Sequence, residues 1–213
     1  MDIMPVIKFA GAVALSYIIG SIPTAYIFGK LMKAIDIRQH GSGNVGATNA
    51  FRVLGKRPGA AVLAIDIIKG IVPVVVVAGL LAPYVLGHIA CAVAAVCGHN
   101  WTCFLNFRGG KGIATTLGVL IGLTAVIPAA RPAVGLCVVG WCLCFAATGI
   151  VSASSLFAAV LLPVLMLVFS VPTPVVLLSV MFSMFVVFRH RPNIHRLLTG
   201  QEPRVRMPWQ PKP

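Results

Sequence analysis

Long apolar runs separated by short polar breaks form the dominant pattern along this chain. The runs predict membrane-spanning helices near residues 5–29, 59–82, 84–104, 113–130, 132–149, 151–170 and 172–188. Several of these runs are close to the lower limit of about 17 residues needed to cross roughly 30 Å of hydrocarbon. The pattern therefore predicts an all-α polytopic membrane protein with about seven transmembrane helices.

The composition supports a membrane protein rather than a soluble one. Of the 213 residues, 59% are hydrophobic and only 10% are charged, and the mean hydropathy is +0.98. Apolar residues in such continuous runs are typical of polytopic membrane proteins and not of an amphipathic soluble core. The length predicts a single membrane domain covering residues 1–213, with the N-terminal run retained as the first span.

The distribution of basic residues predicts the orientation of the chain in the membrane. Its net charge of +13 would suggest a nucleic-acid partner in a soluble protein, but here the positive-inside bias explains it, and no nucleic acid is expected. Most of the Lys and Arg residues lie in three segments: Lys30, Lys33, Arg38, Arg52, Lys56 and Arg57; Arg108 and Lys111; and Arg189, Arg191, Arg196, Arg204, Arg206 and Lys212. With seven spans these segments share one face, which predicts a cytoplasmic C-terminus and an N-terminus outside.

Neither the cysteines nor the acids predict a metal site. The six cysteines fall in apolar stretches without a C-x-x-C pair, which is typical of buried, reduced side chains. Four acidic residues in the whole chain argue against a carboxylate cage for a divalent cation. We expect no metal and no cofactor.

Three polar motifs interrupt the apolar pattern, and all three lie in the predicted cytoplasmic segments. They are HGSGNVGATNAFRVLGK (40–56), GHNWTCFLNFRGGKGIATT (98–116) and RHRPNIHRLLTGQE (189–202). Glycine-rich turns expose successive N–H groups that bind anions, and an added Lys or Arg favours phosphate. Each motif alone could equally be an ordinary turn or a basic segment touching anionic lipid. Together they favour a phosphate site at the cytoplasmic boundary.

The familiar nucleotide-binding motifs do not fit these segments. Gly41, Gly43 and Gly46 have the G-x-G-x-x-G spacing, but no strand–helix–strand pattern surrounds them. In the second motif, Leu105 and Gly112 occupy positions where a P-loop requires Gly and Ser or Thr. Two other function classes stay open: a membrane transporter for a small phosphorylated solute and a lipid-binding scaffold. A transporter should have polar residues from both halves near the midplane, whereas here they cluster at one face.

The three motifs, in this order, together with DIIKG at residues 66–70, resemble the bacterial acyl-phosphate:glycerol-3-phosphate acyltransferase family. The resemblance covers residues 16–202, and Pro192 departs from a position that is often polar in relatives. It implies a multi-pass enzyme of the bacterial inner membrane that begins phospholipid biosynthesis. The reaction implied is transfer of a fatty acyl group from acyl phosphate to the 1-hydroxyl of glycerol 3-phosphate. The implied partners are these two substrates, the lipid bilayer and the enzyme that forms acyl phosphate.

The resemblance also implies roles for individual residues. The residues expected to carry the reaction are Ser42, Arg52, Lys111, His190 and Asn193. The residues expected to bind substrate are Gly41, Gly43, Asn44, Gly46, Thr48, Asn49, His99, Gly109, Gly110, Gly112, Thr115, Arg189 and Arg196. Arg52 and Lys111 would hold phosphate charge, while His190 and Asn193 would hold the acceptor. His99 could equally be a histidine satisfied at a helix end.

The proton acceptor and the remaining charges leave alternatives. No Asp follows a His at the H-x-x-x-x-D spacing of acyltransferases that use acyl-CoA or acyl carrier protein, so a His–Asp base is disfavoured. A phosphate oxygen of the substrate is preferred as base over His190. Asp66 and Lys69, three residues apart on one helix face, are expected to neutralise each other. Glu202 is expected to pair with a neighbouring Arg.

Overall fold

The computed structural model describes residues 3–205, so Asp2, Arg206 and Lys212 lie outside the described residues. It contains eleven α-helices: α1 (Met4–Ser21), α2 (Thr24–Lys33), α3 (Ala47–Leu54), α4 (Lys56–Val72), α5 (Ala78–Leu81), α6 (Val85–Asn100), α7 (Ile113–Val126), α8 (Arg131–Thr148), α9 (Val151–Val168), α10 (Thr173–Arg189) and α11 (Arg191–Leu198). A π-helical turn, Pro73–Val77, joins α4 to α5, and 3-10 turns occur at Ile37–Gln39, Cys103–Leu105 and Pro128–Ala130. No strand occurs within residues 3–205.

The predicted all-α membrane class is confirmed, while the number of spans is not fixed. Five helical segments in the described part of the chain are long and apolar enough to cross a membrane, or six if α10 and α11, which bend by 63°, form one span. The helix α7, predicted as the span 113–130, ends at Val126 and has only 14 residues. Seven spans and the orientation of the two termini therefore stay predictions.

The first predicted span, 5–29, is not one continuous helix. It breaks after Ser21, and α2 begins at Thr24. Pro23 lies at this break and has no N–H to continue the helical hydrogen bonds. The break leaves the carbonyl of Ile22 available to a side chain, and Lys69 Nζ donates to it.

The chain divides into two compact units, Met1–Pro128 and Ala129–Pro213. The single domain predicted for residues 1–213 stays a prediction. In the first unit α1 packs against α6 and α4 against α7. One apolar cluster there joins Ala12 of α1 to Val77 and Cys91, and a second joins Ala25, Ile37, Val45, Ala50, Leu54, Val62 and Leu105.

The second unit is built on α8, α9 and α10, with α9 packed against both of the others. Its buried serines donate to helical carbonyls, as Ser154 does to Ile150 O at 2.9 Å and Ser179 to Val176 O at 2.6 Å. Such bonds satisfy hydroxyl groups where water is absent. Large apolar side chains such as Leu143 and Leu167 are about two-thirds exposed, at 66% and 65%, as a helix surface facing lipid requires.

Glycines let the helices of the first unit approach closely. A Cβ added at Gly20 of α1 would overlap the carbonyl oxygen of Ala95 in α6. One added at Gly98 would overlap the carbonyl oxygen of Tyr17. Small residues at helix contacts are the usual means of close packing in membranes. The α1–α6 contact therefore depends on these two positions.

We predict that Gly20→Ala lowers the free energy of unfolding by about 1–3 kcal/mol, because the added methyl must displace backbone. Gly11→Ala is the matched control in the same helix, since nothing lies within 4 Å of a Cβ at Gly11. The measurement is thermal unfolding in detergent, followed by the loss of the helical circular dichroism signal. Equal unfolding midpoints for the two variants would contradict the prediction.

Candidate active site

The first motif folds into a loop that leads into α3. Gly41 and Gly43 have positive φ values of 62° and 71°, which glycine adopts without strain. Asn44 Oδ1 accepts a bond from the Gly46 N–H at 3.0 Å, and Gly46 is the residue before α3, which has no side-chain cap. Of the predicted phosphate-binding residues in this motif, Ser42, Thr48 and Arg52 are exposed. The loop and α3 therefore present two hydroxyls, a helix start and a cation to solvent.

Asn49 holds this loop together from inside. Its side chain is buried, with 1% exposure. The amide oxygen accepts from Ser42 N–H at 2.9 Å, and the amide nitrogen donates to His40 O at 3.0 Å and Ile37 O at 3.3 Å. These contacts give Asn49 a structural role, and its predicted contact with phosphate stays a prediction.

The second motif forms a glycine turn, which we define as residues 109–112, between the end of α6 and the start of α7. Gly109 N–H donates to Asn100 O at 3.2 Å and Gly110 N–H to His99 O at 3.0 Å. Gly112 has a φ of 78° and starts α7 without a side-chain cap. Lys111 is half-buried within this turn. The turn thus places a lysine beside the uncapped N-terminus of a helix, where anions are favoured.

A buried polar cluster lies at the base of this turn. Asp66 Oδ1 in α4 accepts from Thr24 Oγ1 at 3.0 Å and pairs with Lys69 Nζ at 2.8 Å. Lys69 also donates to Ile22 O at the α1–α2 break, at 2.7 Å. His99 Nδ1 lies 3.9 Å from Asp66 Oδ1. The predicted Asp66–Lys69 pair is confirmed, and it ties α4 to the α1–α2 break.

Polar groups near the turn are buried without a hydrogen-bond partner in the described structure. Both amide atoms of Asn100 and the hydroxyl of Thr115 belong to this set, and each side chain has 0% exposure. A Cβ added at Gly112 would come within 2.6 Å of Asn100 Oδ1, so this amide faces the turn. Buried polar groups without partners are costly, and they are common where a ligand or water completes the site.

A shared apolar cluster brings the first two motifs together. Leu105 of the second motif packs in the same cluster as Val45 and Ala50 of the first. The two loops are therefore built on one core in the first unit. Their predicted proximity is supported by this packing.

The third motif belongs to the second unit. His190 lies between α10 and α11 and is 3% exposed. Its Nδ1 donates to Val186 O at 2.8 Å, so in the neutral ring Nε2 is the acceptor nitrogen. Asn193 is also buried, and Arg189 and Arg196 are half-buried. The predicted meeting of this motif with the other two stays a prediction.

Glu202 holds the end of the third motif in place through three hydrogen bonds. Its Oε1 accepts from Ser152 Oγ at 2.7 Å and Asn193 Nδ2 at 2.5 Å, and its Oε2 accepts from Arg196 Nε at 2.7 Å. The predicted Glu202–Arg pair is confirmed, with Arg196 as the partner. Burial raises the pKa of Glu202, but the bonds from Ser152, Asn193 and Arg196 outweigh burial, and the pKa lies below its ordinary value.

Sequence reasoning missed several residues of these networks. Asn100, Thr24 and Ser152 were not selected, although Asn100 lies between the chosen His99 and the second motif's aromatic residue Trp101. A polar residue at a helix end adjoining an apolar run is the signal that could have identified Asn100. Thr24 and Ser152 carry no such signal, because isolated hydroxyls are common in membrane helices.

The chain is similar to one family of proteins over nearly its whole length. Residues 10–200 match the profile of the family described as glycerol-3-phosphate acyltransferase. A protein of that name from Synechococcus sp. (strain JA-3-3Ab) is 42% identical over 197 residues, covering 92% of this chain and 93% of the relative. Another of that name from Halalkalibacterium halodurans is 44% identical over 196 residues, covering 88% and 90%.

Two solved structures of a glycerol 3-phosphate acyltransferase are also similar to this chain. The glycerol 3-phosphate form of PlsY (YgiH), an integral membrane glycerol 3-phosphate acyltransferase, superposes with a TM-score of 0.84 at 33% identity, covering 93% of this chain and 96% of that one. Its lysophosphatidic acid form gives a TM-score of 0.82 at 32% identity, covering 93% and 95%. These names do not favour the transporter alternative.

We predict that Glu202→Gln lowers the free energy of unfolding at neutral pH by about 1–3 kcal/mol, since the bond from Arg196 loses its charged acceptor. Because the pKa of Glu202 is lowered by folding, the carboxylate stabilises the protein above its ordinary pKa of about 4.3. This contribution is lost as the pH falls through the lowered pKa.

The measurement is the unfolding midpoint of wild type and variant in detergent from neutral pH to below pH of about 4. The difference between the two should shrink toward the acid end. Arg204→Gln, which changes an exposed charge beside Glu202, is the control and should leave the midpoint unchanged. A difference that is constant with pH would contradict the assigned role of the carboxylate.

Proposed function

This chain belongs to the glycerol-3-phosphate acyltransferase family, and we propose that it transfers a fatty acyl group from acyl phosphate to the 1-hydroxyl of glycerol 3-phosphate. The products are 1-acylglycerol 3-phosphate (lysophosphatidate) and inorganic phosphate. The reaction takes place at the cytoplasmic face of the bacterial inner membrane and begins phospholipid biosynthesis. The enzyme that forms acyl phosphate is the partner that supplies the donor.

The observation that carries this proposal is the glycine turn with Lys111 at the uncapped N-terminus of α7. Both proposed substrates carry phosphate, and a turn of this kind offers backbone N–H groups, a helix dipole and an ammonium to one anion. The buried amide of Asn100 and hydroxyl of Thr115 add neutral hydrogen-bonding groups beside it. Apolar helices around the turn suit the fatty tail of the donor.

The chemistry requires little beyond positioning and charge stabilisation. Acyl phosphate is a mixed anhydride with a good leaving group. The acceptor oxygen forms a bond to the acyl carbon, while the bond from that carbon to the bridging phosphate oxygen breaks. The hydroxyl proton passes to a phosphate oxygen of the substrate. Lys111 stabilises the departing phosphate or the oxyanion, and direct transfer needs no acyl-enzyme intermediate.

The first motif supplies further phosphate contacts in this proposal. Ser42 and Thr48, both exposed at the loop and the start of α3, donate to phosphate oxygens. Arg52, in the last turn of α3, adds a second cation. Asn44 and Asn49 act together with the loop amides, which they also hold in place.

The third motif holds the acceptor in this proposal. His190 and Asn193 bind its phosphate or hydroxyl, assisted by Arg189 and Arg196. A backbone carbonyl orients His190 Nδ1, and a carbonyl stabilises an imidazolium less than a carboxylate would. A substrate phosphate oxygen is therefore preferred as the proton acceptor over His190.

The test of the donor is an assay of the purified protein in detergent with radiolabelled glycerol 3-phosphate and matched concentrations of acyl phosphate, acyl-CoA or acyl carrier protein thioester. We expect labelled lysophosphatidate only with acyl phosphate. Preference for a thioester would overturn the proposed donor. Failure to form labelled lipid with any donor would overturn the acyltransferase proposal itself.

In the same assay we predict that Lys111→Ala lowers kcat/KM by roughly a hundredfold or more, because a group that stabilises developing charge is lost. Lys8→Ala removes an exposed lysine of α1 that lies outside the three motifs and is the control. Both variants should insert in the membrane and unfold like wild type. Near-normal turnover by Lys111→Ala would remove this lysine from the mechanism.

A further inference from the structure

We propose that Asp66 is a positioning residue, whose carboxylate orients His99 so that the imidazole ring supports the glycine turn. This inference rests on the proposed function, since it takes the turn to be the phosphate site. It assigns Asp66 a task beyond neutralising Lys69. Three observations support it: the contacts of Asp66, the position of the His99 ring, and a carboxylate oxygen of Asp66 that has no hydrogen bond in the described structure.

Asp66 is buried and in contact with three other side chains. Its side chain is 1% exposed, and Oδ1 is approached by three groups: Thr24 Oγ1 at 3.0 Å, Lys69 Nζ at 2.8 Å and His99 Nδ1 at 3.9 Å. The contact with His99 is longer than a hydrogen bond and is an ion pair only when the imidazole is protonated, but it places the Nδ1 edge of the ring next to the carboxylate. One carboxylate thus reaches α2, its own helix α4 and the end of α6.

The His99 ring lies between Asp66 and the glycine turn. The Nδ1 edge faces Asp66, and a Cβ added at Gly110 would overlap Nε2 on the opposite edge. The backbone of His99 is also bound to the turn through Gly110 N–H, at 3.0 Å. Rotation of the ring would therefore press on Gly110 or leave it unsupported, and Lys111 is the next residue in the chain.

The ion pair with Lys69 leaves the Asp66 carboxylate incompletely satisfied. Its Oδ2 is buried without a hydrogen-bond partner in the described structure. A buried pair with an unsatisfied oxygen is poorly optimised for stability, and apolar residues of similar volume often serve as well or better. A local departure of this kind is expected at functional sites. The contact with His99 is the one that leads to the proposed phosphate site.

The experiment separates pairing from positioning with the variant Asp66→Asn/Lys69→Met, which removes both buried charges together. If Asp66 served only to neutralise Lys69, this variant should keep wild-type kcat/KM. We expect a variant that still unfolds cooperatively but has a kcat/KM lower by roughly tenfold or more, because the turn loses its fixed position. Wild-type kcat/KM in the folded double variant would overturn the proposal.

A second comparison tests whether Asp66 acts through His99. His99→Gln is combined with the double change, and kcat and KM for both substrates are measured for each variant. Residues that act through one another give non-additive effects. We expect the double change to cost less than about threefold on the His99→Gln background. Additive losses would overturn the proposal.

Asp66→Glu keeps the charge and replaces the double variant if the latter does not unfold cooperatively. Its loss of kcat/KM must likewise disappear on the His99→Gln background, or the proposal fails. The wild type is assayed first with each donor, so that a wrong donor is recognised separately. The comparison of variants is then made with the donor that the wild type uses.

Discussion

The buried charge of Asp66 is the constraint on which the first unit depends. An ionised carboxylate in an apolar helix requires partners within the protein, because lipid supplies none. Lys69 neutralises it and also binds the Ile22 carbonyl that the α1–α2 break exposes. Thr24, the first residue of α2, completes the contact. These contacts tie the α1–α2 break, α4 and the end of α6 beside His99 to one another. The glycine turn is in turn hydrogen-bonded to the end of α6 through the carbonyls of His99 and Asn100.

Both units use a polar side chain, buried Asn49 in the first and half-buried Glu202 in the second, to hold an otherwise irregular backbone. Asn49 binds the ends of the first loop through both atoms of its amide, and the glycines at 41 and 43 then adopt conformations that other residues resist. In the second unit the Glu202 carboxylate accepts hydrogen bonds from Ser152, Asn193 and Arg196 through its two oxygens. A loop that presents N–H groups to an anion needs its own remaining polar groups satisfied beforehand, since a mobile loop would lose binding energy in becoming ordered. The two anchors supply that order.

Ion pairs between residues close in the chain could be predicted from the sequence, whereas two of the helix boundaries could not. Lys69 follows Asp66 by three residues, and the spacing alone places both on one helix face, so their ion pair could be predicted. Arg196 and Glu202 belong to one short motif, which made their pair predictable as well. The break at Pro23 was missed because the run 5–29 stays apolar through it. The early end of α7 was missed for the same reason, since hydropathy does not distinguish a helix from an apolar turn.

By itself, the sequence determined the all-α membrane class, the family and the three motifs, because these depend on composition, periodicity and residue order along the chain. Only the tertiary structure decided that Leu105 packs with Val45, that His99 lies between Asp66 and Gly110, and that the Asn100 amide is buried against the glycine turn. Those relations join residues far apart in the chain. They depend on the angles at which helices pack and on the exact level of each helix break, and neither quantity can be read from local patterns in the sequence.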